Sequence, residues 1–161
     1  EIMEAMPGML DLAASSGEDL ATSADIAAST LRGFQLNASD AAHVADVLAK
    51  NAADTNAAIV DTGYAMKYIA PVAASVGWSL EEVTAAIGKM ADAGIKGEQA
   101  GTTLRGALTR LMKPTDDMYA VMEDLGISFY DAQGKMKPLS TIMSREIITW
   151  RICLARKPFL A

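Results

Sequence analysis

His43 is the only histidine in the chain, so it is the one side chain whose ordinary pKa suits proton transfer near neutrality. Asp40 and Asp46 stand three residues to either side, on the same face of an expected helix, and a His beside carboxylates has the makings of a general base. With one His and one Cys, no zinc ligand set can be assembled. His43 is therefore read as a surface or boundary residue making helix-face contacts. Cys153 has no His near it in sequence, so a thiolate–imidazole pair would need a spatial coincidence. It is read as a buried or incidental thiol, and being alone it excludes an internal disulfide.

Glu81-Glu82 and Asp116-Asp117 are adjacent carboxylates, but each pair falls in the first turn of an expected helix, where the macrodipole favours negative charge. Capping accounts for both. The run from Gly94 to Gly101 is glycine-rich and precedes a helix, as a phosphate loop would, yet it lacks the Gly-Lys-Ser/Thr ending and no strand leads into it. A helix stop, a turn and a helix start describe it better, and the Gly97–Gly101 spacing suits close helix packing. Arg105, Arg110 and Lys113 form a small basic patch, and residues 80–110 have the outline of a helix-turn-helix. The net charge of −6 repels phosphates and argues against nucleic acid as a partner. Ten methionines are assigned mainly to core packing, with Met90, Met118 and Met122 on inward helix faces. No catalytic, cofactor-binding or metal-ligating residue is assigned, and no enzymatic activity is expected.

The elements that would position these residues are short helices. The chain has 161 residues, 51% apolar and only 6% aromatic, with alanine prominent, a composition that favours helix while burying little area per contact. One helix covers 7–14 from Pro7; a second is capped by Ser16 and stops at Gly33; a third is capped by Ser39, with Val44, Val47 and Leu48 inward. A fourth, about 57–75, contains Pro71, which should kink or split it, and ends at Gly77. Ser79-Leu80-Glu81-Glu82 is a capping box for a fifth helix, with Leu80, Val83, Ile87, Met90 and Ala91 on one stripe and a stop at Gly94. A sixth covers about 98–112. A seventh is capped by Thr115, points Met118, Val121, Met122 and Leu125 inward and ends at Gly126. Ile127–Tyr130 and Lys135–Lys137 flank Asp131-Ala-Gln-Gly134, which predicts a small β-hairpin near residues 127–137. Residues 12–20 resemble residues 72–80 at an offset of sixty, and Leu48 matches Leu108 at the same offset. The expected fold is all-α, built of short antiparallel helical hairpins with glycine stops, plus that one β-hairpin.

Residues 144–161 hold Arg145, Arg151, Arg156 and Lys157 against Glu146, net +3, which leaves −9 on residues 1–143. No apolar run reaches the roughly 18–20 residues of a membrane span.

The segment from Tyr68 to Met112 resembles the core region of phage tail tape measure proteins of the TP901 type. The likeness runs through Ala70-Pro71-Val72-Ala73, the Ser79 capping box, Ala91-Asp92-Ala93-Gly94-Ile95-Lys96-Gly97, Gln99-Ala100-Gly101-Thr102 and Leu104-Arg105. Upstream it takes in residues 11–14, 36–41 and 45–48, and downstream residues 125–127, 131–137 and Pro138-Leu139. It covers residues 1–143, the expected helical core region, with the N-terminal part of the family's core expected to be missing before Glu1 and 144–161 an unrecognised basic tail. The resemblance implies a structural protein packed in the tail tube, whose length sets tube length, assembled in the bacterial cytoplasm and residing in the virion tail lumen. It implies further copies of the chain, tail tube protein and tail assembly chaperones as partners, and no cofactor. The other reading of the same helices is a generic bacterial protein-binding adaptor with no tail role.

Overall fold

The computed structural model describes residues 2–144. They form α1 (Ile2–Ser16), α2 (Leu20–Phe34), α3 (Ala41–Asp54), α4 (Ile59–Val76), α5 (Leu80–Asp92), α6 (Gly97–Met112) and α7 (Asp116–Leu125), with a 3-10 turn at Ala38–Asp40 leading into α3. A further helical stretch runs from Leu139 to Ser144. The chain divides into two compact units, Glu1–Thr109 and Arg110–Ala161.

In the first unit α1 packs on α2 and α3, α2 on α4, and α5 on α3 and α4, so α3 touches four other helices. Leu12, Ile26, Leu48, Met66, Ile69, Ile87 and Leu108 are fully buried at the contacts. Each contributes about 1.5–3 kcal/mol of transfer free energy, far more than the alanines around them. What the alanines and glycines provide is proximity. A Cβ on Gly101 would collide with the backbone of Ala65, and one on Gly8 with the backbone of Ala41 and Ala42. Gly106, in the same helix as Gly101, faces open space. Gly106→Ala is therefore expected to stabilise the fold by about 0.5–1 kcal/mol, because it removes only unfolded-state freedom; a denaturation midpoint checks this.

Local signals set most helix ends. The Ser79 hydroxyl accepts from the Glu82 N–H while the Glu82 carboxylate accepts from the Ser79 N–H, completing the expected capping box. Thr115 caps α7, and Gly77 and Gly126 end α4 and α7 in the left-handed region. Other ends differ from the expectation. Asp19, not Ser16, caps α2, its carboxylate accepting from the Thr22 N–H at 3.0 Å, while Ser16 closes α1. The capping box ahead of α3 joins Asn37 and Asp40, not Ser39. Gly33 lies inside α2 against Ala70, and Gln35 takes the left-handed cap instead. Pro7 lies inside α1 and Pro71 inside an unbroken α4. Each proline deprives the carbonyl four residues back, that of Met3 or of Lys67, of its helical partner, and all four of these residues are exposed.

The second unit corrects the β-hairpin expected near 127–137. No strand forms among the described residues; Tyr130 and Met136 make one isolated antiparallel bridge. A side chain takes one backbone donor that the ladder would need, the Lys135 N–H. The Asp131 carboxylate accepts from the N–H groups of Gln133 and Lys135, and the Ser128 hydroxyl from the N–H of Tyr130. Two backbone bonds, Asp131 to Lys135 and Lys137 to Phe129, are what remains between the arms. Phe129, Met136 and Ile142 are buried here. The inward face expected for α7 is not buried: Met118 and Met122 are half-buried and Val121 is exposed, while the Leu125 side chain lies outside the described residues. Among the methionines only Met66 and Met136 belong to the core, and Met90 is half-buried.

Candidate functional site

Folding brings His43 to a carboxylate that its local sequence does not contain. His43 stands on the outer face of α3, and its Nε2 lies 2.6 Å from Oε1 of Glu81, the second residue of α5. Asp40 and Asp46, the neighbours by spacing, make no contact with the ring of the kind that Glu81 makes. The pair sits at one end of an open groove of about 570 Å³ between α3 and α5, lined among others by Val47, Asn51, Thr84 and Ala85, with Lys50 and Lys89 on the rim. The Thr84 hydroxyl on the groove's α5 side is buried without a hydrogen-bond partner. Asn51 is turned inward, its Nδ2 donating to the Thr62 hydroxyl at 3.1 Å.

Both members of the His43–Glu81 pair are more than half exposed, so water screens the interaction and its net worth is small. Glu81 is held below the usual carboxylate range first by its own backbone N–H, then by the Ser79 hydroxyl, with His43 a lesser cause. These are helix-capping contacts. Glu82 is the other half of the capping box, and Asp116 and Asp117 occupy the first turn of α7, as the spacing suggested. The rim lysines are paired as well, Lys50 with Asp54 at 2.7 Å and Lys89 with Asp92 at 3.2 Å. Gly94 and Gly97 shape the turn into α6, both with positive φ, and Gly101 faces Ala65, so this run serves packing. Arg105, Arg110 and Lys113 are exposed. Cys153 lies outside the described residues. Among the described residues no group of three or more His, Cys, Asp or Glu is placed to hold a metal ion, and no helix is long and apolar enough to cross a membrane.

Sequence reasoning missed the Glu81 partner because the two residues are 38 apart, and only the α3–α5 packing joins them. It also missed the ion pair between Lys67 of α4 and Asp25 of α2 at 2.6 Å, with the Lys67 ammonium 5.2 Å from the Tyr64 ring centre. Asp25 is lowered by its hydrogen bond from Lys67, Asp92 by the backbone N–H of Asn56, and Asp19 by the backbone N–H of Thr22, all from 3.8. Folded-state pKa values below the unfolded ones contribute stability above the unfolded values, and that stability is lost as pH falls through the folded ones. The melting temperature is therefore expected to hold from neutrality down to about pH 4.5 and to drop below it. A scan of thermal melts against pH checks this; a steady fall already between about pH 7 and 5 would contradict it.

In this groove Glu81, Lys50, Lys89 and Asn51 are engaged in caps or pairs, and elsewhere in the first unit Gly8 and Gly101 set close helix packing. The chain belongs to the phage-related minor tail protein family, whose model matches residues 1–145. It is 65% identical over 139 residues to the tape measure protein of Pneumococcus phage Dp-1, a match covering 86% of this chain and 12% of that protein. It is 34% identical over 142 residues to the probable tape measure protein of Escherichia phage P2, covering 88% of this chain and 17% of that protein. The chain thus spans less than a fifth of the length of these relatives. No solved structure matches it. It is a structural protein of the phage tail, and the generic adaptor reading is disfavoured.

Proposed function

We propose that this chain is the helical core portion, residues 1–143, of a tape measure protein, followed by a basic tail of different character. The observation that carries this reading is the 65% identity to a named tape measure protein over 139 residues, most of the chain. In this reading several copies lie in the tail tube, tube subunits polymerise around them, and the length of the whole protein sets tube length. Loading by tail assembly chaperones takes place in the bacterial cytoplasm, and the finished location is the tail lumen. The chain acts by shape and packing, and His43, Glu81 and the acidic pairs turn over no substrate.

Two facts of the fold support this. Helices held by small residues pack closely, and an acidic body stays clear of nucleic acid. Purified tail tube subunits of the same phage, mixed with the chain and sedimented as tubes, are expected to carry it into the pellet. Peptidoglycan zymograms are expected to show no clearing. Tubes that leave the chain in solution would count against the reading, and clearing that disappears in His43→Ala would replace it with a hydrolase.

A further inference from the structure

α3 and α5 run side by side in the same direction. His43 meets Glu81 near their starts, and the Asn56 N–H, just past α3, donates to Asp92 at the end of α5. Between these ends Asn51 and Thr55 come against Gly88. The inner sides of the two helices are taken by α1, α2 and α4, and the groove on the outer side has Val47 and Ala85 in its lining. A trough between two parallel helices is the shape that takes the side-chain ridge of a third. Its charges are unevenly matched. Glu81 pairs with His43, Lys50 with Asp54 and Lys89 with Asp92. Asp46, exposed in the same lining, makes no ion pair among the described residues.

The occupant that this groove favours is a helix with a narrow outer face and a cation at its edge. Most helices of the first unit do not offer one. Glu4 and Asp11 stand exposed on α1, and α2 and α4 spend Asp25 and Lys67 on each other. α6 is different. From Gln99 to Thr109 it carries no carboxylate. Thr102, Gly106 and Thr109 stand at i, i+4 and i+7 on its exposed side, and a Cβ on Gly106 would meet nothing within 4 Å. The Thr102 hydroxyl donates to the Glu98 carbonyl and the Thr109 hydroxyl to the Arg105 carbonyl, so the stripe is short and its donors are already satisfied. Arg105 is exposed beside this stripe and makes no ion pair among the described residues.

We propose that the Thr102–Gly106–Thr109 face of α6 docks in the α3–α5 groove of a second copy of this chain, with Arg105 of one copy against Asp46 of the other. Gly106 lets the α6 backbone come close to the groove, as Gly101 on its inner side lets it come close to α4. The ion pair joins the one uncompensated carboxylate of the groove to the one cation of the α6 face, and so fixes which helix enters and how it lies. Copies set side by side belong to the reading above, on which the proposal rests in that respect; it names the surfaces that join them.

The test uses the whole chain, its mass followed by light scattering across a range of concentrations. The wild type is expected to grow in mass with concentration. Asp46→Arg and Arg105→Asp, each of which sets like charges against each other, are expected to weaken association about tenfold, and the double variant, which restores an opposite pair, to recover it. Asp46→Arg also brings the net charge toward zero, so association through general charge alone would strengthen in it. Ala85→Arg fills the groove and Gly106→Glu spoils the α6 face; each is expected to abolish the growth in mass. All four positions are exposed, and circular dichroism confirms that each variant is folded. A wild type that stays monomeric, single variants that associate as the wild type does, or a double variant no better than the singles would each overturn the proposal. Sedimentation with tail tubes is read separately. Association without tube binding sinks the tail-tube reading and leaves this contact standing, and tube binding without association does the reverse.

Discussion

Leu48→Ala is expected to lower the unfolding free energy by about 2–5 kcal/mol, the largest effect of any single substitution considered for this fold. Leu48 is fully buried in α3, the helix that touches α1, α2, α4 and α5. Truncation removes the transfer free energy of three carbons and leaves a cavity. The cost then depends on how far the walls can close. Here they have little freedom, because α1 is already seated backbone to backbone on the start of α3 through Gly8, and Asn51 fills the space beside Gly88 of α5. The upper part of the range is expected. Urea denaturation monitored by helical circular dichroism measures it: the midpoint should fall with little change in slope. A loss below about 1 kcal/mol would mean that Leu48 is not at the centre of the core. Small domains have only about 5–15 kcal/mol in hand, so this one change removes a large share.

Gly101→Ala is expected to cost about 1–3 kcal/mol, the range for overpacking a close contact, although alanine is the better helix former. The added methyl would meet the Ala65 backbone, which cannot swing aside as a side-chain tip can, so α6 must move away from α4. The same substitution five residues later, at Gly106, has the opposite expected sign because nothing lies within 4 Å of the new methyl. The two variants form a matched pair in one helix with identical chemistry. If both stabilise, the α4–α6 approach is looser than described; if both destabilise, helix propensity at Gly106 has been misjudged.

That pair also shows which parts of the fold the sequence could reveal. The capping box at Ser79, the Thr115 cap and the stops at Gly77 and Gly126 were readable because each is settled by atoms within four residues. Gly33 looked like the same kind of stop, yet its role is to admit Ala70 of α4, and no local pattern separates the two uses of glycine. The missing hairpin has a similar cause. Residues 127–137 carry strand-like apolar residues around a glycine turn, but the Asp131 carboxylate takes the Lys135 N–H that would have completed its bonded pair, and two backbone bonds are all that join the arms. Helical periodicity correctly marked Leu80, Val83 and Ile87 as inward. It also marked α7 as having an inward face, yet none of its described side chains is fully buried. Periodicity reports amphipathicity; it does not say whether a partner is present.

For the groove, the residue types were legible and their partnerships were not. His43, Glu81 and Glu82 stood out in sequence, and capping was the correct reading of Glu82. The contact between His43 and Glu81, like that between Lys67 and Asp25, joins helices distant in the chain and follows from packing alone. The sixty-residue echo was visible over residues 12–20 and 72–80. Its extension to whole helices, α1, α2 and α3 falling on α4, α5 and α6 at the same offset, needed the folded chain.

Cross-linking mass spectrometry on intact virions tests the central claim most directly. Lys50 and Lys89 are exposed in the first unit and available to an amine-reactive cross-linker. If the chain is part of a tape measure protein in the tail, its peptides are expected in purified virions, with cross-links from these lysines to tail tube subunits. Virions that lack these peptides, or that link them only to proteins outside the tail, would contradict the account.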